Sequence, residues 1–113
     1  MTVASSRIIG NSGHGVRAGG NVSIASSTVS GNEVYGELSV SGGGVWSQGD
    51  VTVASSTISG NTVRVCCEPG FGGGIFSAGN VTVTSSTISE NATLVRDETY
   101  HGGGIFAEGH VSV

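Results

Sequence analysis

The sequence predicts an all-β solenoid, a parallel β-helix of about four coils with three short strands in each. Three observations predict it. The 11-residue block at 1–11 returns at 22–32, 51–61 and 81–91; apolar and polar residues alternate over short stretches inside each block; and 21 glycines in 113 residues punctuate them. Self-similarity at a period of a few tens of residues marks units that bury an apolar face only against their neighbours.

The elements follow in chain order. In the unit that starts at Val51, Val51-Thr-Val53 reads as the first strand, Thr57-Ile-Ser59 as the second and Gly74-Ile-Phe-Ser77 as the third. Val, Ile, Thr and Phe suit a pleated, half-buried surface, and Gly-Asn, Ser-Gly and Gly-Gly-Gly supply the corners. Val51, Val53, Ile58 and Ile75 are expected to point inward, each contributing roughly 1.5–3 kcal/mol on full burial. One coil cannot offset its own ordering entropy, so stability has to come from stacking. Ile58→Asp is accordingly expected to unfold neighbouring coils together. A helical reading fails because no long window carries helical apolar spacing and each interior Gly costs roughly 1 kcal/mol there. A leucine-rich repeat fails because Leu occurs only at Leu38 and Leu94.

The coils are 1–21, 22–50, 51–80 and 81–110, with another starting at 111. The first is shorter than the rest. Between the block's Asn and the last Gly before the next apolar pair stand three residues in coil 1 (Ser12-Gly13-His14), 11 in coil 2 and 12 in coils 3 and 4. Coils 2–4 therefore carry inserted loops of eight or nine extra residues. Deleting residues 63–68 is expected to leave coil 3 folded if the segment is a true insertion. Because Val111-Ser-Val113 opens a further unit, the chain is expected to be one segment of a longer array.

The step Ile58-x-x-Asn61 followed by Gly72-Gly-Gly-Ile75 resembles the paired Phe-x-x-Asn and Gly-Gly-Ala-Ile motifs of polymorphic outer-membrane proteins. More broadly it is similar to right-handed parallel β-helix repeats of bacterial autotransporter passengers and adhesins. Val29-x-x-Asn32, Ile88-x-x-Asn91 and Gly102-Gly-Gly-Ile105 match likewise, so the resemblance spans the chain. The departures are Ile or Val in place of the motif Phe, Gly in place of its Ala, and Gly13-His-Gly-Val16 in coil 1. The resemblance implies a right-handed coil and an extracellular or cell-surface location, with the bacterial outer membrane the expected one.

Composition excludes some partners. The net charge is −4, with four Arg, no Lys, and Arg7, Arg17, Arg64 and Arg96 scattered. A basic patch for nucleic acid is not formed. No stretch approaches the roughly 18 apolar residues of a membrane-spanning helix, and no leader pattern opens the segment.

Asn11, Asn32, Asn61 and Asn91 are expected to stack as a structural ladder at one corner, where an Asn tolerates left-handed backbone geometry and bonds neighbouring backbone. The second position of the third strand reads Arg17, Trp46, Phe76, Phe106 and faces outward by alternation. Its aromatics coincide with the inserted loops. The favoured explanation is that each loop folds over its ring through Tyr35, Leu38, Val65, Phe71, Leu94 or Tyr100; the alternative is an aromatic strip that stacks sugars. The loops at 33–41, 62–71 and 92–101 hold five of the eight acids and share little sequence, as recognition loops or unconstrained surface would.

Cys66 and Cys67 lack Cys-x-x-Cys metal spacing, and a bond between immediate neighbours strains disulfide geometry, so free thiols, or pairing with a cysteine elsewhere in a longer chain, are expected. No metal, cofactor or catalytic cluster is expected. Asp50 aligns with Asn21, Asn80 and His110; Glu33, Glu90 and Glu108 fall in three different columns; and Asp97-Glu98 near His101 reads as a solvated loop. Outward Thr28/Ser30, Thr57/Ser59 and Thr87/Ser89 form a hydroxyl face similar in pattern to ice-binding β-helices, interrupted by Arg7 and Ile9, and ordinary solvation of a β face is the favoured reading.

The expected role is structural display: a stiff, non-enzymatic segment of a secreted or cell-surface repeat protein, adhesin- or autotransporter-like, with loops that contact a host surface, a neighbouring cell or a glycan. The second reading is a non-catalytic piece of a polysaccharide-degrading, pectate-lyase-like β-helix enzyme.

Overall fold

A computed structural model describes residues 1–37, 40–66, 69–95 and 103–113. Coil 1 contains β1 (Thr2–Ala4), β2 (Arg7–Ile9) and β3 (Val16–Ala18). Coil 2 contains β4 (Val22–Ala25), β5 (Thr28–Ser30), β6 (Glu33–Gly36) and β7 (Val45–Ser47). Coil 3 repeats it with β8 (Val51–Ala54), β9 (Thr57–Ser59), β10 (Thr62–Val65) and β11 (Ile75–Ser77). Coil 4 follows with β12 (Val81–Thr84), β13 (Thr87–Ser89), β14 (Ala92–Val95) and β15 (Ile105–Ala107), after which β16 (Val111–Ser112) pairs with β12.

Strands at equivalent positions stack in parallel into four sheets, ordered β1-β4-β8-β12-β16, β2-β5-β9-β13, β6-β10-β14 and β3-β7-β11-β15. This is a parallel β-helix. Register is kept by the alternation, since a slip of one residue would turn every core side chain to solvent. Val22, Val51 and Val81 form one inward column, Ile24, Val53 and Val83 a second, Val29 and Ile58 a third, and Val16, Val45 and Ile75 a fourth, all buried.

The inserted segments differ from simple loops. Each begins with a strand, so coils 2–4 gain a fourth sheet with its own inward column, Val34, Val63 and Thr93. Excising residues 63–68 would therefore remove Val63, which is fully buried, and a strand paired on both sides; the expectation that coil 3 would tolerate the cut is corrected. The pattern hid this because Thr62-Val-Arg-Val65 alternates like a strand but shares no identity at its outward positions with residues 33–36.

Polar ladders hold the corners. Each corner Asn accepts, on its Oδ1, both the backbone N–H and the Nδ2–H of the Asn one coil before: Asn11 to Asn32, Asn32 to Asn61 and Asn61 to Asn91, all at 2.9–3.0 Å. The Nδ2 groups of Asn32, Asn61 and Asn91 also donate to the carbonyls of Ile8, Val29 and Ile58. The left-handed residue at this corner is not the Asn but the one before it, Gly10, Gly31, Gly60 and Glu90, with φ of 68°, 63°, 62° and 55°. The Asn side chain is instead turned inward to bond backbone.

Two further ladders hold the other corners, one of serines and one along the column in which Asp50 aligns with Asn21, Asn80 and His110. At the corner between the first two sheets, the Ser6 N–H donates to Ser27 Oγ, that of Ser27 to Ser56 Oγ, and that of Ser56 to Ser86 Oγ. Each hydroxyl in turn donates to the carbonyl two residues back, at 2.7 Å. At the corner before each new coil, Asn21, Asp50 and Asn80 accept on Oδ1 the N–H of Asp50, Asn80 and His110.

The ladder also explains the glycine that departs from the motif. A Cβ on Gly44 would lie 2.6 Å from the Gly74 carbonyl oxygen and 2.8 Å from Asn61 Nδ2, and Gly15 and Gly74 stand the same way against Asn32 and Asn91. Gly44→Ala is expected to lower the stability by about 2 kcal/mol through overpacking, and Asn61→Ala by about 3 kcal/mol through buried groups left unpaired. Glu90→Gly should raise it by about 1 kcal/mol, because a left-handed Glu carries a steric cost that Gly does not. Denaturant midpoints on the three variants check all of these.

Candidate functional site

The outward face of the β3-β7-β11-β15 sheet carries an aromatic column. Register places Arg17, Trp46, Phe76 and Phe106 side by side. Trp46 and Phe76 stack with centroids 6.3 Å apart and planes 14° apart, and Phe76 and Phe106 with centroids 5.6 Å and planes 3° apart. Parallel strands one ladder step apart hold neighbouring rings at stacking distance. Arg17 does not interrupt the column, since its guanidinium carbon lies 5.0 Å from the Trp46 centroid, within cation–π range.

Among the described residues, two side chains cover the ends of this ledge. Phe71 leans on Phe106 with centroids 4.6 Å apart, and His14 sits 6.3 Å from Trp46 at a tilt of 46°. His14 Nδ1 is 2.8 Å from the Gly42 carbonyl oxygen, which can only accept, so Nδ1 carries the proton. Of the residues expected to fold over their own coil's ring, Phe71 of coil 3 packs instead on Phe106 of coil 4. Tyr35 stands 66% exposed on β6 and Val65 faces the core, because both belong to the fourth sheet. Leu38 and Tyr100 lie outside the described residues. Trp46, Phe76 and Phe106 remain half-buried, which leaves an apolar, π-rich ledge with a guanidinium at one end. Such a surface suits the apolar faces of sugar rings and an anionic substituent near Arg17. His14 was not singled out from the sequence; only the short crossing of coil 1 brings it against Trp46.

The other candidates are dispersed. Asn11, Asn32, Asn61 and Asn91 spend their amides on backbone and on one another. Asp50 is the acid of its column, between Asn21 and Asn80, and its Oδ1 accepts the Asn80 N–H at 2.8 Å. The Thr28–Thr57–Thr87 and Ser30–Ser59–Ser89 columns run in register, with Arg7 and Ile9 ahead of them. A second exposed hydroxyl column, Thr2–Ser23–Thr52–Thr82–Ser112, lies on the first sheet. Cys66 is disulfide-bonded, which corrects the expectation of a free thiol there; Cys67, the other cysteine of the sequence, lies outside the described residues, as do Asp97, Glu98 and His101. Among the described residues no three His, Cys, Asp or Glu side chains gather to hold a metal ion.

The family model described as a right handed beta helix region matches residues 1–110. No curated protein and no solved structure matches the chain.

Phe76→Ala breaks the column at its centre while leaving the closed core intact. The expected loss is about 2 kcal/mol, the cost of a half-buried ring with two stacking partners. The far-UV circular dichroism of the folded state should stay unchanged, in contrast to Ile58→Asp, whose side chain would enter a fully buried position.

Proposed function

Because the chain belongs to the right-handed β-helix family, we propose that it is a structural display segment of a secreted or cell-surface repeat protein, of the adhesin or autotransporter-passenger kind. One observation carries this reading. In the fourth sheet the inward positions hold to small β-branched side chains, Val34, Val63 and Thr93, while the outward positions run Glu33, Thr62, Ala92 and Tyr35, Arg64, Leu94. A fixed frame with a freely changing exterior is the arrangement of a scaffold that presents recognition surface.

Further features support the same reading. The disulfide at Cys66 suits an oxidising, extracellular compartment. The aromatic ledge supports a glycan, on a host surface or a neighbouring cell, as the partner. Among the described residues no helix is long and apolar enough to cross a membrane. The non-enzymatic reading is preferred to a polysaccharide-degrading one because Asp50 has amide neighbours rather than carboxylates along its column, whereas glycoside hydrolysis needs a pair of acids across the bond.

Trp46 is the one tryptophan of the sequence, so its fluorescence reports directly on the ledge. Titration of the full chain with soluble oligosaccharides is expected to change that emission saturably. Phe106→Ala should weaken the response about tenfold, the equivalent of about 1.4 kcal/mol, without loss of fold. Release of reducing ends from the same oligosaccharides would overturn the display reading in favour of the degradative one. Absence of any saturable response would remove glycan as the partner.

A further inference from the structure

Coil 1 crosses from Asn11 to Gly15 in three residues, whereas the other coils insert a strand at this point. The consequence is an edge inside the solenoid. On one side β6 is paired with β10 along its whole length. On the other it meets coil 1 only at its first residue: the Glu33 N–H donates to the Asn11 carbonyl at 3.0 Å, the Gly13 N–H donates to the Glu33 carbonyl at 2.7 Å, and Ser12 forms an isolated parallel bridge with Glu33. Beyond that, Gly13, with φ of 141°, turns the chain away.

Parallel ladders use alternate residues of a strand on each side. The carbonyls of Asn32 and Gly36 accept from the N–H groups of Thr62 and Cys66, so the even-numbered residues of this stretch serve β10. Tyr35 therefore directs its N–H and carbonyl toward the opposite side, where coil 1 supplies no strand. An open groove of about 520 Å³ lies there, bordered by Asn11, Gly13, Gly31, Glu33 and Tyr35. A coil stacked ahead of residue 1 would pack on coil 1 rather than on β6, and would leave the slot one strand wide.

We propose that this edge takes up an extended basic peptide of a partner chain by parallel strand addition, a mode in which main-chain hydrogen bonds give affinity and side chains give selectivity. Charge points to the occupant: among the described residues, the groove lining holds the Glu33 carboxylate and no cation. The chain itself supplies the template on the far side. There β10 presents Thr62-Val-Arg-Val65 with Arg64 aligned to Tyr35, and Arg64 Nε lies 3.4 Å from Glu33 Oε1. An arginine at the matching position of a bound strand would face the same carboxylate and the exposed Tyr35 ring. The inference is independent of the glycan ledge, which lies on another sheet.

The test uses the full chain, labelled with ¹⁵N, and a blocked synthetic peptide containing Thr-Val-Arg-Val. The amide resonances of Gly13, Tyr35 and Glu37 are expected to shift saturably, and exchange of the Tyr35 amide with solvent to slow. Replacing the peptide's Arg with Glu should weaken binding roughly threefold, as loss of a half-exposed ion pair would, and Glu33→Gln should erase that difference while binding persists. Tyr35→Pro, which deletes the edge N–H, should abolish the shifts. Unmoved amides with the unaltered chain would overturn the proposal whether or not the proline variant folds. So would protection of the Tyr35 amide that grows with protein concentration and needs no peptide, which would identify a second copy as the occupant.

Discussion

The corner asparagine is the constraint on which the rest of the coil depends. Asn32 and Asn61 are fully buried and carry amides that must be satisfied without water. Their partners come from the coil before and the coil after: Asn61 accepts twice from Asn32 and donates to Val29 and Asn91. A buried polar group costs 1–3 kcal/mol or so when unpaired, so the ladder holds only if every coil brings its Asn to the same height. That requirement fixes the register of the sheets on either side. It also imposes glycine at Gly15, Gly44 and Gly74, whose missing side chains are the space in which the next coil's Asn amide sits. The two halves of the sequence motif are thus one contact, made between the Gly of one coil and the Asn of the next.

Serine and Asn/Asp ladders at the other corners do the same work more weakly. Each places a side-chain oxygen where a turning backbone leaves an N–H without a strand partner. A β-helix has regular strands only a few residues long, so a large share of its backbone lies at corners, and corner satisfaction matters as much as strand pairing. The buried hydroxyl of Thr93, which has no hydrogen-bond partner and stands in a column otherwise of Val34 and Val63, shows the contrast: it lies within a strand, away from any corner that could use it.

Much of this was legible in the residues. The period, the inward Val and Ile columns and the outward aromatic line all follow from alternation, which has a direct geometric meaning in a strand. The ladders of Ser6, Ser27, Ser56 and Ser86 were not legible, because serine in a turn has many local partners and only the stacked fold selects the next coil. Nor was the fourth sheet. Its outward residues share nothing from coil to coil, so the repeat signal vanishes at residue 33 although the strand signal continues. The state of Cys66 was not legible either: spacing argues against a bond between immediate neighbours, and spacing alone carries no information on whether Cys66 is bonded, which it is.

The unequal coils give the molecule its asymmetry. Three coils with a fourth strand and one without produce a step on an otherwise even column, and the step changes two surfaces at once. It brings His14 across to the aromatic ledge, where Arg17 and Trp46 end the run of rings. It also leaves Tyr35 exposed on a strand edge that no neighbour of coil 1 reaches. Both follow from the three residues Ser12, Gly13 and His14 standing where the next coil has 11. Solenoids tolerate such changes because each coil contacts only its neighbours, so a shortened crossing is absorbed locally while the ladders on either side keep their spacing. Variation in crossing length is therefore a second means, beside the changing exterior of the fourth sheet, by which this frame acquires distinct sites along its axis.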